Sequence, residues 1–427
     1  MLGKLRGRLF AGGLGLVAFA ALGVALIGGG GSAADPERAQ AAEKQRSKKR
    51  QTLAVSNNWD GTIDLVDPKT FKRLKRINTA PDYDERLQEI ALRPGGLALL
   101  LAIRQFIGEG NDQLADDAFT SKDGRTLYVS RPSLADVVAI DIRTNEIRWQ
   151  VEMDGSRSDH MGISEDGREL LVSDSTEKQV IVINTRTGKR TGTFPSGDTP
   201  HESNYSKDGE RIYHASIGTV YTPTDQPELD TSKGERIFEI VDADTKRVLK
   251  TYDMGEELRK AGFPGMSSAV RPMTLSPNER YVYFQVSFFH GFVEFDLKKE
   301  KVRRVVTLPQ SEEAMETPKE DYLLDSAHHG IAMNPQGTKL CVAGTMSDYA
   351  AIVDRKTMNY RITRFAGDAK PYWSTPSKDG RYCYVSISGK DRVAVLSYRT
   401  GKKVGSFAVG NHPQRMRTGS VRRSALR

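Results

Sequence analysis

Short apolar runs, separated by polar turns, recur along most of the chain. A tight turn of the type Ser-Lys-Asp-Gly, or a close variant, precedes many of these runs. Its copies begin at Ser121, Ser164, Ser206, Ser276, Asn334 and Ser377. Glycine adopts the positive φ that such turns need, and Ser and Asp side chains cap them. The pattern predicts antiparallel β-hairpins.

The order of strands repeats. The second strand of a repeat reads Thr126-Leu-Tyr-Val-Ser in one copy and Tyr382-Cys-Tyr-Val-Ser in another, and a third strand reads Val180-Ile-Val-Ile-Asn. Repeats of four strands at a spacing of roughly forty residues, rich in β-branched and aromatic positions, are typical of propeller blades. We therefore predict an all-β fold, a seven-bladed β-propeller of four-stranded blades.

The first repeat begins at Thr52 and lacks an inner strand, whereas the segment after Gly410 begins like another repeat. We expect the C-terminal strand to complete blade one, because this closure leaves no free sheet edge. The predicted propeller spans residues 52–421, preceded by a basic flexible linker at 35–51 and followed by a basic tail at 422–427.

The N-terminal region has the layout of an export signal. Residues 1–8 are basic, residues 9–34 carry no charge, and small residues follow at Ser32, Ala33 and Ala34. The apolar stretch also approaches the ~20 residues that span a bilayer. Residues 1–34 are therefore either a signal peptide or a signal anchor, a hydrophobic helix outside the domain. Both alternatives predict an extracytoplasmic protein, secreted or membrane-anchored.

The net charge of +8 is concentrated at the two ends of the chain. This distribution forms no basic stripe across a folded face, so we expect no nucleic-acid partner. We expect a monomer.

Cys341 and Cys383 lie in neighbouring repeats. Because packed sheets are ~10 Å apart and a disulfide needs Cα atoms within ~7 Å, the expectation is two buried thiols.

The motifs Val55-Ser-Asn-Asn and Tyr128-Val-Ser, with the Ile-Asp and Thr pattern of the later strands, resemble the YVTN propeller repeats. These belong to a larger group of quinoprotein amine dehydrogenase-like and haem d1 domain-like propellers. The resemblance covers residues 52–421 and implies the fold. It does not imply one activity, because this fold supports many unrelated functions.

Long connections are expected on one face of the ring only. They are residues 82–116, 218–235, 253–270 and 310–327. Long loops on a rigid scaffold commonly carry function. Within the first of them, the apolar segment 95–108 predicts a helix. We expect a buried packing helix there, and the alternatives are a lid or a membrane-touching segment.

Counting back from each turn glycine or its equivalent gives one residue per blade at the start of the inner strand. The resulting ring is Asp116, Asp159, His201, Arg271, His329, Tyr372 and Gln414. His160, Glu202 and Trp373 follow one position later on their strands. We predict a polar funnel at the mouth of the central channel that binds a small molecule. Its predicted ligand-binding residues are Asp116, Asp159, His201, Glu202, Arg271, Tyr372, Trp373 and Gln414.

Histidines are concentrated toward the same face. The candidate metal ligands are His160, His201, His290, His328, His329 and His412. Converging neutral imidazoles suit copper, zinc or iron, and a histidine-rich channel mouth is similar to those of copper and haem propeller enzymes. The alternative is that part of the ring is a repeat signature, because the YVTN consensus places Pro-His before the inner strand, as in Pro200-His201. No Cys-x-x-Cys-His haem attachment motif is present.

Two functions follow from these patterns. The first is an extracytoplasmic ligand-binding or protein-interaction module, whose long-loop face recognises a small molecule, a protein or an envelope component. The second is a metal-dependent oxidoreductase using copper, iron or zinc, or a lactonase-like or lyase-like enzyme, built on the histidine funnel. No nucleophile elbow or phosphate loop assigns a catalytic residue. Convergence of three of the six histidines would favour the enzyme over the binding module.

Overall fold

The computed structural model describes residues 48–219, 232–322 and 326–427. The predicted signal or anchor at 1–34 and most of the linker at 35–51 lie outside these residues. Within the described ranges, no helix is long and apolar enough to span a membrane.

The described chain forms seven antiparallel sheets of four strands each. The strands of blades one to three are β1 (Lys49–Asn57), β2 (Thr62–Val66), β3 (Arg73–Asn78), β4 (Ala118–Thr120), β5 (Thr126–Arg131), β6 (Asp136–Asp141), β7 (Ile147–Glu152), β8 (Ser158–Ile163), β9 (Glu169–Asp174), β10 (Gln179–Asn184) and β11 (Arg190–Pro195). Blades four and five contain β12 (Pro200–Tyr205), β13 (Arg211–Ser216), β14 (Ile237–Asp242), β15 (Val248–Asp253), β16 (Val270–Leu275), β17 (Tyr281–Val286), β18 (Gly291–Asp296) and β19 (Lys301–Thr307). Blades six and seven contain β20 (Ile331–Met333), β21 (Lys339–Gly344), β22 (Tyr349–Asp354), β23 (Tyr360–Arg364), β24 (Pro371–Pro376), β25 (Tyr382–Ile387), β26 (Arg392–Ser397) and β27 (Lys403–Ala408), and the last strand is β28 (Pro413–Arg422).

The ring closes as the sequence predicts. Strand β28 pairs antiparallel with β1, with Leu53 opposite Thr418, and supplies the inner strand of blade one. Strand β1 begins at Lys49, and the turn after β28 buries Ala425 in the core between blades one and two. The closing strand therefore links the two ends of the chain within one sheet.

The predicted turn chemistry is present in the structure. In blade two, the Ser121 hydroxyl accepts the backbone N–H of Thr126 at 3.0 Å, and Gly124 has a φ of 73°. A Cβ on Gly124 would lie 2.8 Å from the backbone nitrogen of Arg422. Only glycine fits this turn, because both its conformation and the packing against the closing strand exclude a side chain.

Apolar residues of adjacent blades pack against each other and form the core. Between blades four and five, for example, the rings of Phe238 and Phe284 lie edge to face at 5.0 Å. Cys341 on β21 and Cys383 on β25 form a disulfide, with Cα atoms 6.5 Å apart. The prediction of two thiols was wrong. The blades radiate from a common axis. The second strands of neighbouring blades therefore lie closer together than the ~10 Å that separates two sheets stacked face to face.

Within the residues that the structure describes, four α-helices lie in the predicted long connections. They are α1 (Tyr83–Ala91), α2 (Gly96–Phe106), α3 (Met254–Lys260) and α4 (Glu312–Glu316). The predicted apolar helix is present as α2, but the expectation that it is buried was wrong. It packs through Leu100 against Ile90 and Leu134, while Phe106 is 77% exposed. Its length and apolar composition suggested a core helix, whereas its position at the channel mouth leaves much of it uncovered.

Candidate functional site

Three histidines from three blades converge in the central channel. His160 lies on β8, His201 on β12, and His329 two residues before the start of β20. Each of them offers one side-chain nitrogen, and these three nitrogens all lie within 4.8 Å of one another. The ring centroids of His160 and His201 are 3.8 Å apart, and His329 lies 6.3 and 6.0 Å from them. These three residues are called the histidine triad below.

Irregular strand pairing explains how the triad assembles. The register of β8 against β9 shifts between Ser158 and Met161, and that of β12 against β13 shifts between Pro200 and Glu202. A bulge breaks the strict alternation of side chains and re-aims them locally. His160, predicted one position beyond the ring, therefore meets His201, which belongs to the ring.

The triad is neutral at ordinary pH. Its three side chains are almost completely buried, and this burial lowers the pKa of each imidazole well below the usual value. The nearby Arg415 guanidinium lowers the pKa values of His160 and His329 further. For His201, Asp159 opposes the effect of burial without overcoming it. Neutral imidazoles keep a lone pair available for a metal ion.

Each triad residue also has a buried nitrogen without a hydrogen-bond partner. His160 Nδ1 lies 2.6 Å from Glu202 Oε2, and its Nε2 has no partner. The Nδ1 atoms of His201 and His329 have none either. Buried polar atoms are normally satisfied, and a carboxylate that orients a ligating histidine is a recurrent feature of metal sites. The geometry and donor set therefore fit a transition-metal ion.

Glu202 is itself buried beneath the triad. Burial raises its pKa to about 7, and the cations Arg417 and Arg415 oppose this rise. When ionised, the carboxylate accepts a hydrogen bond from His160 Nδ1, which fixes the tautomer and leaves Nε2 as the acceptor atom. Glu202 was predicted as a ligand-binding residue, and the structure places it behind the triad.

Aromatic rings hold the triad from the side of blade seven. Tyr372 stacks on His329 at 3.9 Å, and the Trp373 ring lies 5.8 Å from His160 and 5.9 Å from His329. The Arg415 guanidinium lies over Trp373 at 5.0 Å. These contacts restrict the rotation of the imidazoles.

Ion pairs surround the triad. Arg157 donates to Asp159 at 2.5 Å, and Arg415 donates to Asp116 at 2.5 Å. Burial raises the pKa of Asp116 to about 6, although Arg415 opposes it. Burial also disfavours the charge on Asp159, but Arg157, His201 and Arg415 together outweigh it, and the pKa of Asp159 is lowered overall. The second oxygen of Asp116 has no hydrogen-bond partner.

The sequence-based reasoning missed several members of this site. Arg157 and Arg415 line the cavity, and Arg417 forms a two-pronged ion pair with Asp117 at 2.9 and 2.7 Å. A usable signal existed for two of them, because Arg415 and Arg417 follow Gln414 on the closing strand and occupy inner-strand positions.

A cavity of about 460 Å³ opens at this point of the channel mouth. All seven residues of the predicted ring line it: Asp116, Asp159, His201, Arg271, His329, Tyr372 and Gln414. His160, Glu202 and Trp373 do not line it and are buried. One side of the cavity is apolar and is formed by helix α2.

The remaining predicted metal ligands are not part of the triad. His290 and His328 form a separate buried pair, with His290 Nε2 3.1 Å from the Tyr322 hydroxyl and His328 Nε2 3.0 Å from the Tyr349 hydroxyl. His412 stacks on Trp59 at 3.7 Å. Three of the six candidate histidines therefore converge.

Comparison with known proteins bears on the fold. No protein-family model and no curated protein sequence matches the chain. Hydrazine synthase of Kuenenia stuttgartiensis superposes with a TM-score of 0.55 and 17% sequence identity, over 81% of this chain and 92% of that one. Dihydro-heme d1 dehydrogenase NirN, solved in complex with DHE, gives a TM-score of 0.51 and 12% identity, over 88% of this chain and 81% of that one.

These similarities show that the seven-bladed propeller fold is shared with both proteins. At such low identities they establish the fold alone. The function must be argued from the residues of the site.

Proposed function

We propose that this protein is a metal-dependent enzyme whose histidine triad holds a transition-metal ion at the base of a substrate cavity. The observation that carries the proposal is the convergence of three neutral, buried imidazoles with unpartnered nitrogens. Three histidine ligands with an open position are typical of catalytic zinc, and imidazole also suits copper and iron. The donor set suits each of these three metals, so the identity of the metal is the first quantity to measure.

The residues around the triad have distinct roles in this proposal. When bound, the metal supplies Lewis-acid or redox chemistry at the cavity floor. Glu202 orients His160, and the stacked Tyr372 orients His329. Asp116 offers an unpartnered carboxylate oxygen at the cavity wall for holding a proton. Helix α2 covers part of the mouth and limits the access of water.

The fold that carries this site is also found in enzymes. Two structural neighbours bear the names synthase and dehydrogenase, so the proposed catalytic role is compatible with this fold. We further propose membership of the YVTN group and an extracytoplasmic location. The Cys341–Cys383 disulfide supports that location, because disulfides persist in oxidising compartments.

A non-catalytic ligand-binding propeller is the second candidate. The pairing of Asp159 with Arg157 and of Asp116 with Arg415 favours it, because both cavity carboxylates are engaged in ion pairs. In that case the long-loop face binds its small-molecule or protein partner and the metal has a structural role.

Metal content tests the proposal. The full chain, purified without a histidine tag, is exposed to zinc, copper or iron(II), desalted and measured by plasma mass spectrometry. We expect close to one ion per chain, and at least a tenfold lower content in His201→Gln and His329→Gln. His412→Gln is the matched control, because His412 is equally buried but lies outside the triad. A wild-type protein that retains no metal, or triad variants that retain it fully, would overturn the proposal.

Activity then separates the two candidates. The metal-loaded chain is assayed with artificial electron acceptors and with lactone and ester substrates, before and after chelation. Turnover that is lost on chelation and restored by the metal supports the enzyme. Stoichiometric metal without turnover, combined with specific ligand binding, supports the binding propeller.

A further inference from the structure

Helix α2 contributes one continuous face to the cavity. Its lining side chains are Leu99, Ala102, Ile103 and Phe106, followed by Ile107 at the C-cap. This spacing is that of a single helical face. The helix packs on the rest of the protein mainly through Leu100. Most of the face that α2 turns toward the cavity is therefore available to contact a ligand in the cavity.

The opposite wall is polar and carries an excess of positive charge. Among the described lining residues, the cations are Arg157, Arg271 and Arg415, and the anions are Asp116 and Asp159. Three guanidinium groups and two carboxyl groups leave an excess of one cationic side chain in this wall. Guanidinium groups bind carboxylates and phosphates well.

The apolar wall is also accessible from outside. Phe106 is 77% exposed and Leu99 is 41% exposed, although both line the cavity. An ion pair of 3.2 Å between Glu109 and Lys370 connects the chain just beyond α2 to the loop before blade seven. The cavity face of α2 is therefore partly exposed to solvent, and the chain beyond the helix is held to blade seven.

We infer that the cavity binds an amphiphilic anion, with a carboxylate or phosphate head group at the arginine wall and an aliphatic chain along α2. This inference rests on the proposed function, since it names the substrate class of the same cavity. A purely polar ligand would leave the α2 face in contact with polar atoms. A purely apolar ligand would leave the excess charge unbalanced.

Calorimetric titration with a homologous series tests the inference. The full chain in lipid nanodiscs, with empty nanodiscs as the blank, is titrated with butanoate, hexanoate and octanoate, and with octyl phosphate and octylammonium. We expect the dissociation constant to fall by about fourfold for each added methylene group. We also expect both octyl anions to bind at least tenfold more tightly than octylammonium.

Matched variants on helix α2 test where the aliphatic chain of the ligand binds. Leu99→Ser and Phe106→Ser are expected to reduce the dependence on chain length to less than twofold per methylene. Leu97→Ser and Leu101→Ser are the controls, because Leu97 and Leu101 are 49% and 48% exposed on the same helix but do not line the cavity. Equal effects in both pairs, a wild-type affinity independent of chain length, or tight binding of octylammonium would overturn the inference.

Metal content, measured on the same samples, keeps this test separate from that of the proposed function. A metal-loaded protein without chain-length dependence overturns the inference and leaves the metal site intact. A protein that binds the series but holds no metal supports the inference and overturns the metal-dependent function.

Discussion

His160 Nδ1 and Glu202 Oε2 lie 2.6 Å apart in a fully buried hydrogen bond between neighbouring inner strands. This contact determines which nitrogen of His160 faces the rest of the triad. It also connects the metal-ligand geometry to a residue that does not line the cavity, so the affinity of the site depends on a side chain beneath it.

Replacement of Glu202 tests that dependence. We expect Glu202→Ala to weaken zinc binding by about 10- to 100-fold, because the orienting acceptor of a ligating histidine is lost. Glu202→Gln keeps an acceptor oxygen, so its zinc affinity should fall much less than that of Glu202→Ala. Competition titration with a zinc-sensitive dye measures both affinities. If the two variants bind zinc as tightly as the wild type, Glu202 does not orient a ligand.

The predictable part of the fold came from local signals. The Ser-to-Gly turns, such as the one from Ser121 to Gly124, determine where hairpins form, and the incomplete first repeat indicated the closing strand. Both follow from short-range backbone chemistry. Whether Cys341 and Cys383 form a disulfide depends on the distance between two blades. A local sequence pattern contains no information about that distance.

The candidate site was predictable to a similar extent. The residue at the equivalent inner-strand position of each blade was predicted to face the channel, and all seven of these residues line one cavity. This works because an approximate rotation about the channel axis relates the blades to one another. The contribution of His160 depended on a bulge in β8, and the ion pairs of Arg157 and Arg415 depended on packing between blades. The exposure of α2 was missed because hydrophobic composition alone does not distinguish a core helix from the wall of a ligand cavity.

The disulfide should stabilise the ring without affecting the triad. Cys341 and Cys383 are separated by 42 residues, and a loop of this length predicts about 4 kcal/mol from the entropy of the unfolded chain. We expect the Cys341→Ala/Cys383→Ala variant to unfold at lower urea concentration, with the free energy of unfolding reduced by up to this amount. Its metal content should equal that of the wild type. An unchanged urea midpoint would contradict the prediction.

The closing strand should be required for a folded domain. A chain ending at Gly410 lacks all of β28 and leaves β1 without its inner neighbour. We expect this truncation to abolish cooperative thermal unfolding, as followed by circular dichroism. A chain ending at Arg422 keeps β28 and is the control, and it should lose only the contacts of the last five residues, which include the buried Ala425 and the partly buried Leu426. Cooperative unfolding of the shorter chain at the wild-type temperature would exclude this closure.

Glu239 should make stability depend on pH. Burial raises its pKa to about 7 from the ordinary 4.5, and the hydrogen bond from Thr251 opposes the rise. The unfolded chain releases this proton near its ordinary pKa, whereas the folded protein keeps it until about pH 7. The folded state therefore binds more protons within this window, and the free energy of unfolding falls as pH rises through it. At about 1.4 kcal/mol per pKa unit, the contribution is at most about 3 kcal/mol.

Urea unfolding at pH 5 and pH 8 measures this effect as a difference between variants. Glu239→Gln cannot ionise, so we expect it to lose less stability than the wild type between the two pH values. Glu210→Gln, at an exposed position, is the control and should behave as the wild type. Identical pH dependence of the wild type and Glu239→Gln would show that this carboxyl titrates normally.

The most direct test of the metal site is anomalous diffraction at the absorption edge of the bound metal, on crystals of the untagged, metal-loaded protein. The account predicts one strong anomalous peak about 2.0–2.3 Å from a nitrogen of each of His160, His201 and His329, and no such peak in crystals of His329→Gln. A peak outside the triad, or no peak after loading with zinc, copper or iron(II), would contradict the metal-dependent function.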